Sequence, residues 1–291
     1  MSISTVAVYG DLHTHTLCSD GVLTPLELLE RAESRGISVL SITDHDTMDA
    51  YDIIEASAYN GPVRVIPGIE ISCFEHGRDV HILGYCCDRT NPDLMTYMAR
   101  YRVERSNRAE AMVDKLQRLG VSITFDNVLD AAAGAPIGRP HVATALVARG
   151  MAASIQDAFD RWLDVRKPGY VAKLPFSVLD ASAMIRNAGG ITVVAHPGKA
   201  FTDPRSFLAI VASGIDGVEV DHPSHWPATR EYYRVLAKQH ALVGTGGSDY
   251  HGSRSYDDRN FGTVGASESM VSAMLSRVEL RKHLATPPET T

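Results

Sequence analysis

Seven short runs of β-branched or apolar residues punctuate the chain, at 5–9, 39–42, 63–66, 80–83, 191–195, 217–220 and 241–243. Each meets a polar, turn-like cluster, the pattern of a strand feeding a loop. Gly10-Asp11-Leu12-His13 follows the first run, Thr43-Asp44-His45-Asp46 the second and Pro67-Gly68-Ile69-Glu70 the third. The fourth surrounds His81, and the last three lead into His196-Pro197, Asp221-His222 and the stretch 244–249. Helices are predicted between most of them. Thr24-Pro25 with Glu27 reads as the cap and first turn of a helix to about Arg35, with Gly36 as its stop. Residues 46–58, 178–188, 204–212 and 228–240 read as further helices, the second of them stopped by Gly189-Gly190. Strand, loop and helix repeated in this way predict an α/β fold of parallel strands with helices outside. Seven or eight such units favour a barrel over an open sheet.

The alternation breaks once. Residues 89–174 read as mainly helical, with helices at 93–119, 124–133, 139–149 and 154–163. The predicted organisation is therefore a barrel built from 1–88 and 175–291, with 89–174 as a helical insertion placed as a lid over the barrel mouth. Residues 286–291 read as a frayed tail. No apolar run approaches the roughly eighteen residues of a membrane span. Residues 1–10 lack the basic start and apolar core of a secretory signal, so a cytoplasmic location is the expectation.

Composition sharpens this picture. The 291 residues carry 28 Lys and Arg against 35 Asp and Glu, a formal charge of −7 that argues against a long nucleic-acid groove, such as one for DNA, but not against a small phosphorylated substrate. The four cysteines, Cys18, Cys73, Cys86 and Cys87, have no C-x-x-C spacing, which fits a reducing compartment and disfavours a thiolate zinc site. Histidine is in excess, at twelve residues, and many of them follow strand-like runs.

Metal-ligating residues track the strand ends: His13 and His15, His45, Glu70, His81, His196, and Asp249 with His251. In a barrel those ends converge on one mouth, so residues spread from 13 to 251 can form one cluster. His13 and His15 lie two apart on an extended segment and face the same side. Asp20 follows in a turn able to fold back towards them. Glu70, between Ile69 and Ile71, is a carboxylate in an apolar strand and needs a partner there. Each residue alone has an ordinary alternative: a loop histidine, a helix cap for Asp44 or Asp46, a satisfied core histidine for His81. Taken together, nine His and carboxylate candidates without Cys point to two or three divalent ions of the Mn²⁺, Fe²⁺ or Zn²⁺ kind. His222 and His225 follow another strand end, where a ligand, a substrate contact or a plain turn are all open.

The set Asp11-Leu12-His13-Thr14-His15, Ser19-Asp20-Gly21, Thr43-Asp44-His45-Asp46, Gly68-Ile69-Glu70, His81, Ala195-His196-Pro197 and Gly247-Ser248-Asp249-Tyr250-His251 resembles the motif set of PHP (polymerase and histidinol phosphatase) metal-dependent phosphoesterases. Gly138-Arg139-Pro140-His141 and Lys167-Pro168-Gly169-Tyr170 resemble the branch containing 3′,5′-nucleoside bisphosphate phosphatases and a 5′-to-3′ exoribonuclease. The resemblance implies a distorted (β/α)7 barrel with three metal positions. His13, His15, Glu70 and Asp249 would hold one ion; Glu70 would bridge to a second held by His81 and His196; Asp20, His45 and His251 would hold a third.

The implied reaction is hydrolysis of a phosphomonoester by water activated on the ions, Mn²⁺ first among the candidates, without a protein nucleophile. Arg139 at a helix start is the expected binder of a second phosphate, with His141, Lys167, Tyr170 and His222 as further substrate contacts. Two phosphate sites would select a 3′,5′-bisphosphate nucleotide. The alternatives are a short RNA cut from its 5′ end, which the 7% aromatic content supports weakly, histidinol phosphate, or a non-catalytic metal-binding module.

Overall fold

The computed structural model describes residues 8–201 and 204–285. Strands β1 (Gly10–Thr14), β2 (Val39–Ile42) and β3 (Arg64–Val65) form one parallel sheet, with α1 (Pro25–Ser34) and α2 (Asp49–Ala56) as its crossovers. A second sheet runs β4 (Gly68–Glu75), β5 (Arg78–Tyr85), β6 (Ile191–Val194), β7 (Gly217–Asp221) and β8 (Val243–Gly246). Between β5 and β6 come α3 (Pro92–Arg118), α4 (Phe125–Ala132), α5 (Arg139–Ala148), α6 (Ile155–Ala158), a π-helical turn (Phe159–Leu163) and α7 (Val178–Asn187). After β6 follow α8 (Pro197–Ala200) and α9 (Pro204–Val211), then α10 (Pro227–Gln239) before β8, and finally α11 (Asp257–Asn260) and α12 (Glu268–Ala285). No helix of the described residues is long and apolar enough to cross a membrane.

The two sheets do not join in a continuous ladder. They meet at single bridges, Thr14 with Tyr250 and His45 with Glu70, and at the Tyr51 hydroxyl, which lies 2.7 Å from the Ile42 carbonyl and accepts from the Gly68 amide at 2.7 Å. This is the distorted α/β barrel of the expected type. Local signals placed much of it: Thr24 accepts from the Glu27 amide and Glu27 answers to Thr24, a full capping box, and Gly36 ends the turn at φ +70.

Four expectations change. The first strand is Gly10–Thr14 rather than 5–9, of which 5–7 lie outside the described residues, as does the tail at 286–291. Residues 68–75 are a strand of their own, and β4, β5 and β6 pair antiparallel, not parallel. The reason is the His76-Gly77 turn, with φ of +48 and +78, which reverses the chain in two residues and leaves no room for a crossover helix. The helix expected over 46–58 starts only at Asp49, because the Asp46 side chain is committed elsewhere. Finally, α11 and α12 had no predicted counterpart. Apolar residues of α12, Val271, Met274 and Val278, share a cluster with Leu12, Leu83, Tyr85 and Val193 of the strands.

Two other clusters matter for the site. One joins the outer helices to the strands and includes Leu94, Tyr97 and Tyr101 from the first half of α3. The other is confined to residues 109–163 and takes Ala109, Met112, Val113 and Leu116 from its second half. A single helix thus runs from one apolar core into the other.

Candidate metal centre

Strand geometry assembles the centre. Glu70 and Ser72 on β4 face Leu83 and His81 on β5 across an antiparallel register, so all four point to one side. Glu70, 1% exposed, is the hub. Its Oε2 lies 3.4 Å from His13 Nε2, 3.3 Å from His15 Nε2 and 3.0 Å from His45 Nδ1. Its Oε1 lies 2.9 Å from His81 Nδ1 and 3.1 Å from His196 Nε2. Asp249 Oδ1 is a second meeting point, 3.6 Å from His13, 3.5 Å from His15 and 3.5 Å from His251. Asp20 closes the far side, 3.3 Å from His251 Nε2, 3.7 Å from His15 and 3.8 Å from His45. All nine residues proposed from the sequence therefore lie together, in four overlapping groups whose ligand atoms are within 4.8 Å of one another.

The donor set fits divalent ions. His13 Nε2, His15 Nε2, His45 Nδ1 and Glu70 Oε2 are buried without a hydrogen-bond partner, although they converge on shared space. Buried polar atoms left this way are costly unless something binds them. Ligand atoms about 2.1 Å from a tetrahedral ion stand about 3.4 Å apart, the spacing that prevails around Glu70 and Asp249. Burial pushes His45 down to about 4, and burial with the nearby Lys199 ammonium pushes His196 down to about 3, so both imidazoles are neutral and able to ligate.

A second layer orients these groups, and no local pattern in the chain marks it. Glu219, buried on β7, accepts from His13 Nδ1 at 3.0 Å and from the His196 amide at 2.6 Å, leaving His13 Nε2 free to face the centre. Burial opposes its charge, but the surrounding histidines hold its carboxyl at about 2. Asp44 accepts from the Thr16 amide and hydroxyl and from Ser19 at 2.5–2.7 Å, fixing the loop that carries Asp20. Asp46 neither caps α2 nor bonds His45. It accepts from Tyr97, from the Ser72 amide and from Arg105 of α3. Three non-glycine residues at the centre, Asp46, His196 and Asp249, have positive φ, strain that clusters where function needs unusual backbone.

Gly247 supplies a test of this packing. A Cβ there would lie 2.3 Å from His13 Cβ and 2.5 Å from its backbone nitrogen. Gly247→Ala is expected to lose about 1–3 kcal/mol of stability and to lower bound metal, read by thermal melting and by elemental analysis. Wild-type melting and metal content would sink the expectation.

A cavity of about 230 Å³ opens onto the centre. Asp20, Glu70 and Asp249 line its floor, and six cationic side chains, Arg105, Arg108, Arg139, Lys173, Lys199 and Arg254, line the rest. Arg105 pairs with Asp46, Arg139 and Lys173 share Asp79 at 3.2 and 3.4 Å, and Lys199 and Arg254 share Asp249 at 2.9 and 3.1 Å. Among the described residues, Arg108 pairs with no carboxylate. Its Nε donates to the Val171 carbonyl at 2.8 Å and its Nη2 is buried and unpartnered. Burial, with the Arg139 and Arg105 guanidiniums beside it, pulls Arg108 down to about 10.

The other substrate contacts proposed from the sequence fall in different places. Arg139 lines the cavity, and the Tyr170 ring lies 5.9 Å from both the Arg139 and Arg108 guanidiniums. His141 spends its Nδ1 on the Gly138 amide at 2.9 Å, inside its own helix start, and does not line the cavity. Lys167 sits on an exposed turn away from it. His222 is buried with Nε2 3.3 Å from Asp249 Oδ2 and lines a neighbouring cavity rather than this one. Arg105, Arg108, Lys173, Lys199 and Arg254 were missed. Their basic side chains carry no local motif.

A buried His and carboxylate cluster under a cationic cavity, on a distorted α/β barrel, defines a metal-dependent phosphoesterase. Comparison with known proteins agrees, since the PHP domain model matches residues 11–172, and the chain belongs to the PHP domain family. It is 34% identical to the 5′-3′ exoribonuclease Rnm of Escherichia coli over 86% of this chain and 88% of that protein. It is 33% identical to the 3′,5′-nucleoside bisphosphate phosphatase of Chromobacterium violaceum over 83% and 86%. A solved amidohydrolase structure from Chromobacterium violaceum, with bound sulfate and no metal, superposes with a TM-score of 0.83 at 31% identity, covering 94% of this chain and 96% of that one.

Proposed function

We propose that the chain removes the 3′-phosphate of a 3′,5′-nucleoside bisphosphate, leaving the 5′-nucleotide. The observation that carries this reading is the presence of two anion-seeking poles in one cavity. One is the His and carboxylate centre; the other is Arg108, with no carboxylate partner among the described residues, beside Arg139 and Lys173, which share Asp79. A simple monoester would leave the second pole unmatched, and a bisphosphate fills both. The name of the Chromobacterium violaceum relative points the same way.

In this reading His13, His15, Glu70 and Asp249 hold one divalent ion. Glu70, with His81 and His196, would also serve a second, and Asp20, His45 and His251 would hold a third. Spacing supports it in part: Asp20, His45 and His251 group together with His15, and His13 and His15 group with Asp249, while around Glu70 His196 groups with His13 and His81 with His45. Nitrogen and oxygen donors without sulfur suit Mn²⁺, and admit Fe²⁺ or Zn²⁺. Such ions supply Lewis-acid polarisation of the phosphoryl oxygens and activate the attacking water. The protein's own part is positional: Glu219 holds His13, Asp44 holds the Asp20 loop, and Lys199 and Arg254 bring positive charge to the same face as Asp249. Arg108 and Arg139 grip the 5′-phosphate and so direct the 3′-phosphate towards the His and carboxylate centre. The segment 89–174 serves as the lid that carries both arginines, while Lys167 and His141 take no part in the grip.

Single substitutions Arg108→Ala and Arg139→Ala test the second pole. Each removes a charged hydrogen-bonding partner worth about 1.5–3 kcal/mol. The preference for adenosine 3′,5′-bisphosphate over AMP should therefore fall about ten- to hundredfold, read as the ratio of kcat/KM values. Histidinol phosphate and a 5′-phosphorylated trinucleotide complete the panel. An unchanged ratio in both variants would overturn the two-phosphate reading, and bound metal without turnover on any substrate would mark a non-catalytic module.

A further inference from the structure

Between α10 and the start of α12, over β7 and β8, lies a groove of about 830 Å³ that shares no lining residue with the metal cavity. Its floor is apolar. Val220, Leu242 and Met270 line it and belong to the core that joins the outer helices to the strands. One wall is a row of cations: Arg230, Arg234 and Lys238 stand four residues apart on α10, so they share one face of the helix at steps of about 6 Å. The opposite wall carries the Ser267 and Ser269 hydroxyls, 2.9 Å from each other.

The row is poorly neutralised. Among the described residues that line the groove, Asp221 is the one carboxylate, 3.6 Å from Arg230 Nη1 and 3.9 Å from Arg234 Nη2, too far for a hydrogen bond to either. Burial outweighs both guanidiniums and raises the Asp221 carboxyl above its ordinary range, so the pairing is loose. Arg234 turns its Nη1 to Glu231 at 2.7 Å, and among the described residues the Lys238 ammonium makes no hydrogen bond or ion pair. Arg230 is held in advance: its Nε donates to the His225 carbonyl at 3.0 Å and its Nη2 to the His222 carbonyl at 3.2 Å, leaving Nη1 without a hydrogen bond. A guanidinium fixed in this way loses little freedom when it takes an anion. A row of cations on a convex polar surface needs only water, but this one borders a concave apolar floor. Three cations against one carboxylate leave two positive charges in excess there.

We propose that this groove is a binding site for an organic dianion with an apolar or aromatic body, its charge held by Arg230, Arg234 and Lys238 and its body resting on Val220, Leu242 and Met270. A phosphate monoester and a dicarboxylate share this chemistry. The volume lies in the range of small-ligand sites, and the site is independent of the reaction proposed above.

Methyl NMR on the Zn²⁺-loaded full chain, labelled at the methionine Cε, reads the groove directly, since Met270 lines its floor and Met270→Leu identifies the resonance. The probes are phenylphosphonate, whose carbon–phosphorus bond is not a phosphate ester, phthalate, and methylphosphonate as a head without a body. Phenylphosphonate, phthalate or both should shift the Met270 resonance saturably, and methylphosphonate should bind about tenfold more weakly or not at all. A response to phenylphosphonate alone marks a phosphate-type head, and a response to phthalate alone a dicarboxylate. Arg234→Ala combined with Lys238→Ala should weaken binding of the responding probe about tenfold. Both positions are exposed on a helix, where alanine is well tolerated. A Met270 resonance unmoved by both aromatic probes, methylphosphonate binding as tightly as they do, or an affinity unchanged in the double variant overturns the site.

Discussion

Glu70→Ala should abolish phosphate release. Five imidazoles, from strands and loops of both sheets, meet this one carboxylate within 3.4 Å. It belongs to two of the four ligand groups, so its loss opens more than one metal position. Removing it also leaves those nitrogens crowded without the negative charge that offsets bound cations. Metal catalysis contributes several kcal/mol of charge stabilisation, and each 1.36 kcal/mol is a factor of ten, so kcat/KM should fall by about a thousandfold or more. Glu70→Gln keeps the shape and removes the charge, and should come close to the same loss. Elemental analysis should show fewer ions per chain in both variants. Wild-type metal content with kcat/KM changed only a few-fold would remove Glu70 from its place as hub.

Asp46→Ala should be the most damaging change outside the ligand set. Asp46 is 1% exposed on its side chain and binds Arg105, Tyr97 and the Ser72 amide at once. Burial raises the cost of its charge, yet the Arg105 guanidinium and the Tyr97 and Ser72 hydrogen bonds hold its carboxyl at about 2. Truncation leaves a buried guanidinium without its counter-charge, a defect that costs about 3–5 kcal/mol. The thermal midpoint should drop on the order of 10 °C. Pairing the change with Arg105→Met, which removes the stranded charge, should recover part of the loss. A single variant melting within about 2 °C of wild type would show that the pair holds nothing together.

The contrast between Glu70 and Asp46 explains what could be read from the chain. Glu70 stood out because a carboxylate flanked by Ile69 and Ile71 contradicts its surroundings, and His13 with His15 because alternation puts both on one face. Such signals are local. Asp46 sits just before a helix and looks like a cap, but its partner Arg105 lies 59 residues away, and only the fold brings them together. Glu219 is 206 residues from His13 and is likewise visible only once the strands are adjacent. The antiparallel turn of β4 into β5 was available in His76-Gly77, but the regular spacing of the runs suggested one more parallel unit. The basic rim was invisible for a different reason, since an arginine on a helix usually faces water and no short pattern marks the one that does not.

The helix α3 enters two apolar cores, and this has a consequence for how the molecule can change over generations. The metal ligands come from strand ends anchored in the barrel, whereas Arg105, Arg108 and Arg139 are presented by helices packed largely on one another. In the function proposed above, chemistry and recognition thus reside on separately cored parts of one chain. Substitutions along α3 and α5 can retune which phosphate ester is gripped while the water-activating residues stay untouched. A single inherited reaction centre of this kind can be redirected to new phosphate esters without passing through an inactive ancestor.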